Sequence, residues 1–76
     1  MSIPDEVSDQ FFAGTRTDLV RFVLNDAVRV TSGANKSRTG AVVSIFSLEP
    51  TTYLIEPGVE PWGDFQAAQS DIELTE

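Results

Sequence analysis

Apolar residues near the N-terminus recur at helical spacing. Val7, Phe11 and Phe12 occupy positions i, i+4 and i+5, which places them on one face of a helix. Gly14 follows, and glycine commonly occupies the position just after the last helical residue. The pattern predicts a short helix over residues 4–13, and we expect its phenylalanines to lie in the core.

A second apolar group follows in residues 17–25. Its members are Leu19, Val20, Val23 and Leu24. Their spacing of i, i+1, i+4 and i+5 predicts a second short helix. The alternative is a strand, because valine and the nearby Phe22 are favoured in strands. We prefer the helix because the apolar positions do not alternate, so residues 1–25 are predicted to form a helical extension packed on the rest.

Strict alternation begins at residue 27. Val28 and Val30 point to one face of a predicted strand over residues 27–31, while Arg29 points to the other. A glycine-bounded loop leads to a second predicted strand over residues 41–46, whose apolar residues fall on both faces. We expect a bend or bulge near Gly40 to accommodate this mixed parity.

Three further strands are predicted, over residues 52–56, 64–69 and 72–75. A loop containing two prolines and two glycines separates the first two, and a single helical turn at Ser70 and Asp71 precedes the last. Five short strands with turn signals at close spacing predict a small closed or partly open barrel. Closure would also remove the exposed edges of such a small sheet.

The hairpin over residues 26–45 resembles the KOW motif of certain ribosomal proteins and NusG-type transcription factors. The residues that carry the resemblance are Val28, Val30, Gly33, Lys36, Arg38, Gly40, Val42 and Ile45. Ser37 departs from the pattern, since the family usually has glycine there. The resemblance implies a mainly β fold, a small five-stranded SH3-like barrel over residues 26–76, preceded by one or two short helices.

Charge is distributed unevenly along the 76 residues, whose net charge is −7. All five basic residues lie between positions 16 and 38 and face only two acids there, which gives that segment +3. Residues 39–76 contain seven acids and no base. A mostly acidic body repels phosphate backbones, so nucleic acid is a disfavoured partner.

The sequence lacks the residues that several types of catalysis and metal binding need. The sequence has no histidine and no cysteine, which excludes Ser-His-Asp triads and the usual zinc sites. The twelve carboxylates are scattered through turns and termini, as a solvated surface would have them. We therefore predict no catalysis, no metal and no cofactor. The acidic N-terminus and the lack of a long apolar run predict a cytoplasmic protein with no membrane contact. We also expect a monomer rather than an oligomer.

Two groups of residues are candidates for binding. The basic residues Arg29, Lys36 and Arg38 would suit nucleic acid or an acidic protein, although they also suit a solvated hairpin tip. Trp62, with Tyr53 and Phe65 around the second long loop, would suit a protein partner, although tryptophan could instead cover a thin core. The function favoured by the sequence is a small protein-binding adaptor or regulatory module, and the alternative is an RNA- or DNA-binding KOW-type module.

Overall fold

A computed structural model describes residues 3–58 and 63–75 of the chain. Its elements, in order, are helix α1 (Asp5–Ala13) and strands β1 (Ala27–Val30), β2 (Thr39–Leu48), β3 (Thr51–Pro57), β4 (Phe65–Ala68) and β5 (Ile72–Leu74), with a 3-10 turn at Gln69–Asp71 before β5. The prediction of a mainly β fold with five strands is confirmed, and so is the helical turn before the last strand.

The five strands form a single antiparallel sheet in the order β4-β3-β2-β1-β5. Strands β4 and β5 are its two edges, and no ladder joins them among the described residues. The sheet is therefore open and is not closed into a barrel by hydrogen bonds. Strand β1 lies between β2 and β5, which brings the two ends of the sheet-forming sequence together.

Strand β1 shows the alternation that its sequence predicts. Val28 and Val30 are buried, whereas Arg29 is exposed. Val30 exchanges backbone hydrogen bonds with the end of the loop on the β2 side, donating to the carbonyl of Arg38 at 2.8 Å. Arg29 instead lies opposite Glu73 of β5.

Strand β2 changes register against β3 twice, between Val42 and Ser44 and again between Ile45 and Ser47. These irregularities explain the mixed parity of its apolar residues, because each one changes which side chains face inward. The bend was expected near Gly40, and it lies further along the strand. Gly40 is needed for a different reason, since a Cβ there would lie 2.4 Å from the carbonyl oxygen of Glu56 on β3.

The predicted second helix is wrong: residues 15–26 contain no helix. Some of their backbone groups form short turns, such as the bond from the N–H of Thr17 to the carbonyl of Val20, and others bond to distant parts of the chain. The N–H of Phe22 donates to the hydroxyl of Tyr53 at 3.2 Å, and the N–H of Asn25 donates to the carbonyl of Val42 at 2.8 Å. Tertiary hydrogen bonds and burial of apolar side chains thus outweigh a weak helical preference.

Helix α1 ends as predicted at Gly14, which adopts the left-handed conformation with φ of 81°. Phe11 is buried, but Phe12 is 59% exposed, so the expectation that both lie in the core is wrong for Phe12. A helix of nine residues buries a narrow face, and consecutive residues lie about 100° apart around its axis. The described residues contain no helix with the length and hydropathy of a membrane span.

The N-terminal segment and the sheet share one core. Its buried members are Phe11, Val20, Phe22, Val23, Val28, Val30, Val42, Tyr53, Ile55, Phe65, Ala67 and Ile72. The first four precede the sheet in sequence, so the residues before β1 supply a third of this core. They are structurally part of the same unit as the strands.

Candidate functional site

The basic residues of the hairpin occupy different environments. Arg29 lies on β1 directly opposite Glu73 of β5, and its guanidinium donates a hydrogen bond to that carboxylate. Both side chains are about half exposed, so the pair contributes at most about 1 kcal/mol to stability. The pair nonetheless neutralises the charge of Arg29, which weakens the attraction of Arg29 for a phosphate group.

Arg38 is partly buried and faces β4. Its Cζ lies 4.3 Å from the centroid of the Phe65 ring, which is cation–π geometry. Its Nη1 also donates to Oδ1 of Asn35 at 2.9 Å. These contacts give Arg38 a structural role, because they hold the β1–β2 loop against the start of β4.

Lys36 lies in the exposed turn of the same loop. Its backbone N–H donates to the carbonyl of Gly33 at 3.2 Å, and its ammonium forms no ion pair with any residue in 3–58 or 63–75. Ser37, which follows, has a positive φ of 77°. The turn thus adopts the conformation that glycine would favour at this position, although the residue is serine.

Side-chain hydrogen bonds join the β1–β2 loop to β4 and to the 3-10 turn before β5. Nδ2 of Asn35 donates to the carbonyl of Gln66 on β4 at 3.3 Å, and Oγ of Ser32 donates to Oδ1 of Asp71 at 2.6 Å. A cleft of about 310 Å³ lies between the loop and β4. Every buried side-chain nitrogen and oxygen among the described residues has a partner, so the cleft contains no buried polar group that awaits a ligand.

Of the three aromatic residues predicted to bind protein, the two that the structure describes are buried. Tyr53 is fully buried and Phe65 is 8% exposed, so neither offers an area on which a partner can rest. Trp62 lies outside the described residues. A role for the loop around Trp62 in protein binding stays a prediction, and Tyr53 and Phe65 contribute to packing.

Tyr53 is also the centre of a buried polar network that the sequence did not indicate. Its hydroxyl accepts from the N–H of Phe22 at 3.2 Å and donates to Oε1 of Gln69. The same Oε1 accepts from the N–H of Arg21 at 2.8 Å. Burial raises the pKa of the Tyr53 phenol, so it stays protonated and serves as a structural hydrogen-bonding group.

Some large apolar side chains are exposed that the sequence pattern would place inside. They are Phe12, Leu19, Phe46 and Leu74, each between 45% and 59% exposed. Phe46 lies at the second irregularity of β2, where the strand turns its side chain outward. Leu74 ends β5 at an edge of the sheet. The alternation of the sequence could not separate these residues from the core, because local pattern does not report which elements cover a strand.

In the part of the chain that the structure describes, we find no arrangement of side chains that suggests catalysis or metal binding. No three acidic residues within 3–58 and 63–75 converge as metal ligands would. Comparisons with known proteins assign no family: no protein-family model matches the chain, and no curated protein or solved structure is significantly similar to it. The resemblance to the KOW motif therefore depends on the hairpin residues alone.

Proposed function

We propose that this chain is a small, non-enzymatic protein-binding module, an adaptor or regulatory domain built as an SH3-like barrel. One observation carries the proposal: most of its few cations are engaged within the domain. Arg16 bonds to Asp26, Arg29 bonds to Glu73, and Arg38 contacts Asn35 and Phe65. The field outside the domain is then dominated by acids, which favours a basic protein surface over a phosphate backbone.

The SH3-like barrel is supported by two features of the sheet. Strand β1 lies between β2 and β5, and a 3-10 turn separates β4 from β5. The β1–β2 loop also reaches across to the β4 edge through Asn35 and Gln66. This hydrogen bond joins the loop between two central strands to the β4 edge, and such a connection is compatible with a partly open barrel.

The proposed function is tested by capture from native lysate on the immobilised full chain, with bound protein and bound RNA measured separately. We expect protein to be retained and RNA to be at background at about 50 mM salt, a condition that favours phosphate contacts. Retention of RNA with no protein above background would overturn the proposal and favour the KOW-type alternative. That alternative further requires that Lys36→Glu abolish RNA retention.

The loop around Trp62 can be tested in the same preparation. Trp62 is the single tryptophan of the chain, so its fluorescence reports on that loop once the emission of the partner alone is subtracted. If the loop contacts the captured partner, the emission of Trp62 changes on binding and Trp62→Ala weakens binding at least about tenfold, as expected of a hot-spot residue. An unchanged spectrum and unchanged affinity would indicate that the partner contacts another part of the domain.

A further inference from the structure

The cleft between the β1–β2 loop and β4 contains a carboxylate but no basic side chain. Asp71 is the one acidic residue among the described residues that line this cleft of about 310 Å³, and none of them is basic. Lys36 and Arg38 belong to the same loop, but neither lines the cleft. Val30 and Ala67 do line it and are buried, so part of its inner wall is apolar.

Asp71 is held in place by β1 and by the loop that follows it. The N–H and Oγ1 of Thr31 both donate to the carbonyl of Asp71, at 2.7 and 3.1 Å. Oγ of Ser32 donates to Oδ1 of the Asp71 carboxylate at 2.6 Å. These bonds fix the carboxylate before a ligand arrives, which reduces the entropy that binding costs.

The second carboxylate oxygen of Asp71, Oδ2, has no hydrogen-bond partner among residues 3–58 and 63–75. It is accessible to solvent, because every buried side-chain oxygen in those ranges has a partner. A Cβ on Gly33 would lie 3.7 Å from Oδ2, so the oxygen faces a residue that has no side chain to cover it. Asp71 also forms no ion pair in those ranges, in contrast to Asp26 and Glu73.

The polar atoms beside Oδ2 can accept hydrogen bonds but cannot donate them. The one hydrogen of the Ser32 hydroxyl is directed to Oδ1, so its oxygen can only accept from a ligand. An ionised carboxylate likewise only accepts. A ligand at this side of the cleft must therefore donate hydrogen bonds, and a positive charge on the ligand strengthens them. A phosphate or a carboxylate would be repelled.

We propose that this cleft binds the side chain of a lysine or arginine of the partner protein. The inference rests on the proposed protein-binding function and gives it a site and a ligand class. The ammonium or guanidinium group donates to Oδ2 of Asp71, and the methylene groups of the side chain lie against Val30 and Ala67. A neutral donor fits less well, because it would displace water from the carboxylate without compensating its charge.

The test is a titration of the ¹⁵N-labelled full chain with blocked tripeptides, followed through the amide chemical shifts. The probes have lysine or arginine between two alanines, and the matched neutral probes have acetyl-lysine or citrulline in that place. We expect the basic probes to shift the amides of Gly33 and Asp71, with a Kd on the order of 1–10 mM for contacts of one side chain. The neutral probes should bind at least about threefold more weakly, since they lack the charge.

Two variants separate the Asp71 carboxylate from the general acidity of the chain. Asp71→Asn removes the charge, while its amide oxygen can still accept from Ser32. It should weaken the basic probes about threefold to tenfold, as loss of a partly exposed charge-assisted hydrogen bond does. Glu56→Gln changes net charge equally at an exposed position outside the cleft lining and should change the Kd less than about twofold, because salt screens surface charges.

Thermal unfolding shows whether Asp71→Asn is folded, and if it is not, the comparison of basic with neutral probes on the parent chain decides. The inference is overturned if no amide shifts, if the shifts lie only outside the cleft, or if basic and neutral probes bind equally. Equal affinity of folded Asp71→Asn and the parent chain for the basic probes would also overturn it.

The partner captured from lysate distinguishes failure of this site from failure of the proposed function. It should bind Asp71→Asn more weakly than it binds the parent chain. Equal binding to both would leave the protein-binding function intact and remove only this site. Absence of any captured protein would instead remove the function on which the inference rests.

Discussion

The hydroxyl of Tyr53 on β3 donates a hydrogen bond to Oε1 of Gln69, the first residue of the 3-10 turn. The same hydroxyl accepts from the N–H of Phe22, and the Phe22 and Tyr53 rings meet edge to face at 5.6 Å. One buried side chain therefore joins the sheet, the turn before β5 and the irregular segment that precedes the sheet.

The first prediction concerns removal of this hydroxyl. Tyr53→Phe retains the ring and its contact with Phe22, but it leaves the buried N–H of Phe22 without an acceptor. We expect the free energy of unfolding to fall by about 1–3 kcal/mol, the cost of an unsatisfied buried donor. Urea denaturation measures the change.

The matched control is Ser47→Ala. It also removes one hydroxyl, but the bond lost, from Ser47 to the carbonyl of Pro50, is exposed. Its effect should stay within about 0.5 kcal/mol, as is usual for surface substitutions. Equal losses for the two variants would mean that the Tyr53 network does not stabilise the fold.

The second prediction concerns alkaline pH. Burial raises the pKa of Tyr53 in the folded state above its ordinary value of about 10. Between the two pKa values the unfolded chain has lost the phenol proton while the folded chain retains it, so stability falls as pH rises. This contribution is complete below about pH 10 and is lost as pH rises through the folded pKa.

Two measurements check the alkaline prediction. Tyr53 is the single tyrosine, so the absorbance of tyrosinate reports its titration directly. The decline in stability above about pH 10 should be shallower in Tyr53→Phe than in the parent chain. A normal phenol titration in the folded protein would contradict the burial on which the prediction depends.

Local sequence pattern predicted those parts of the fold that depend on neighbouring residues. The alternation of Val28 and Val30 defined β1, and Phe11 and Gly14 defined the face and end of α1. The prediction for residues 17–25 was wrong because several of their backbone groups bond to residues that are remote in sequence. Phe22 bonds to Tyr53, which is 31 residues away, and no local spacing reports such a contact.

The candidate site also depends on contacts between residues that are remote in sequence. The sequence grouped Arg29, Lys36 and Arg38 by proximity along the chain, but Glu73 lies 44 residues from Arg29 and neutralises it. The open edge at Ile72–Leu74 is likewise a consequence of strand order. A strand of this length has the same alternation of apolar and polar residues whether it lies at the edge or in the middle of a sheet.

The third prediction concerns the close approach of two strands at Gly40. A Cβ at this position would lie 2.4 Å from the carbonyl oxygen of Glu56 and 2.8 Å from Cγ2 of Ile55. Because the first of these atoms is backbone, β2 and β3 must move apart. We expect Gly40→Ala to lower the free energy of unfolding by about 1–3 kcal/mol, as overpacking does.

Gly58→Ala is the matched control for this substitution. A Cβ at Gly58 meets no atom of residues 3–58 or 63–75 within 4 Å. The same chemical change there should be neutral, or stabilising by up to about 1 kcal/mol, because alanine restricts the unfolded chain. Thermal unfolding of both variants distinguishes the local clash from a general effect of replacing glycine, and an unchanged midpoint for Gly40→Ala would contradict the close approach.

The last prediction separates two interactions of the Asp26 carboxylate. Its carboxylate pairs with Arg16, where Nη2 donates to Oδ1 at 2.9 Å, and it also accepts from the N–H of Val23 at 2.8 Å. The Asp26 side chain is 11% exposed, whereas that of Arg16 is 48% exposed. Asp26→Ala removes both interactions and should lower the free energy of unfolding by about 1–3 kcal/mol, since it leaves the N–H of Val23 without an acceptor.

Arg16→Ala keeps the bond from Val23 to Asp26 and removes the ion pair together with an exposed hydrogen bond to the carbonyl of Arg21. Because Arg16 is half exposed, we expect this loss to be about 1 kcal/mol or less. Asp26→Asn should resemble Arg16→Ala, because an amide oxygen can still accept from Val23 while the charge is lost. The expected order of destabilisation in urea is therefore Asp26→Ala first, with the other two smaller and similar. Equal effects of Asp26→Ala and Arg16→Ala would show that the ion pair, and not the bond to Val23, fixes the segment before β1.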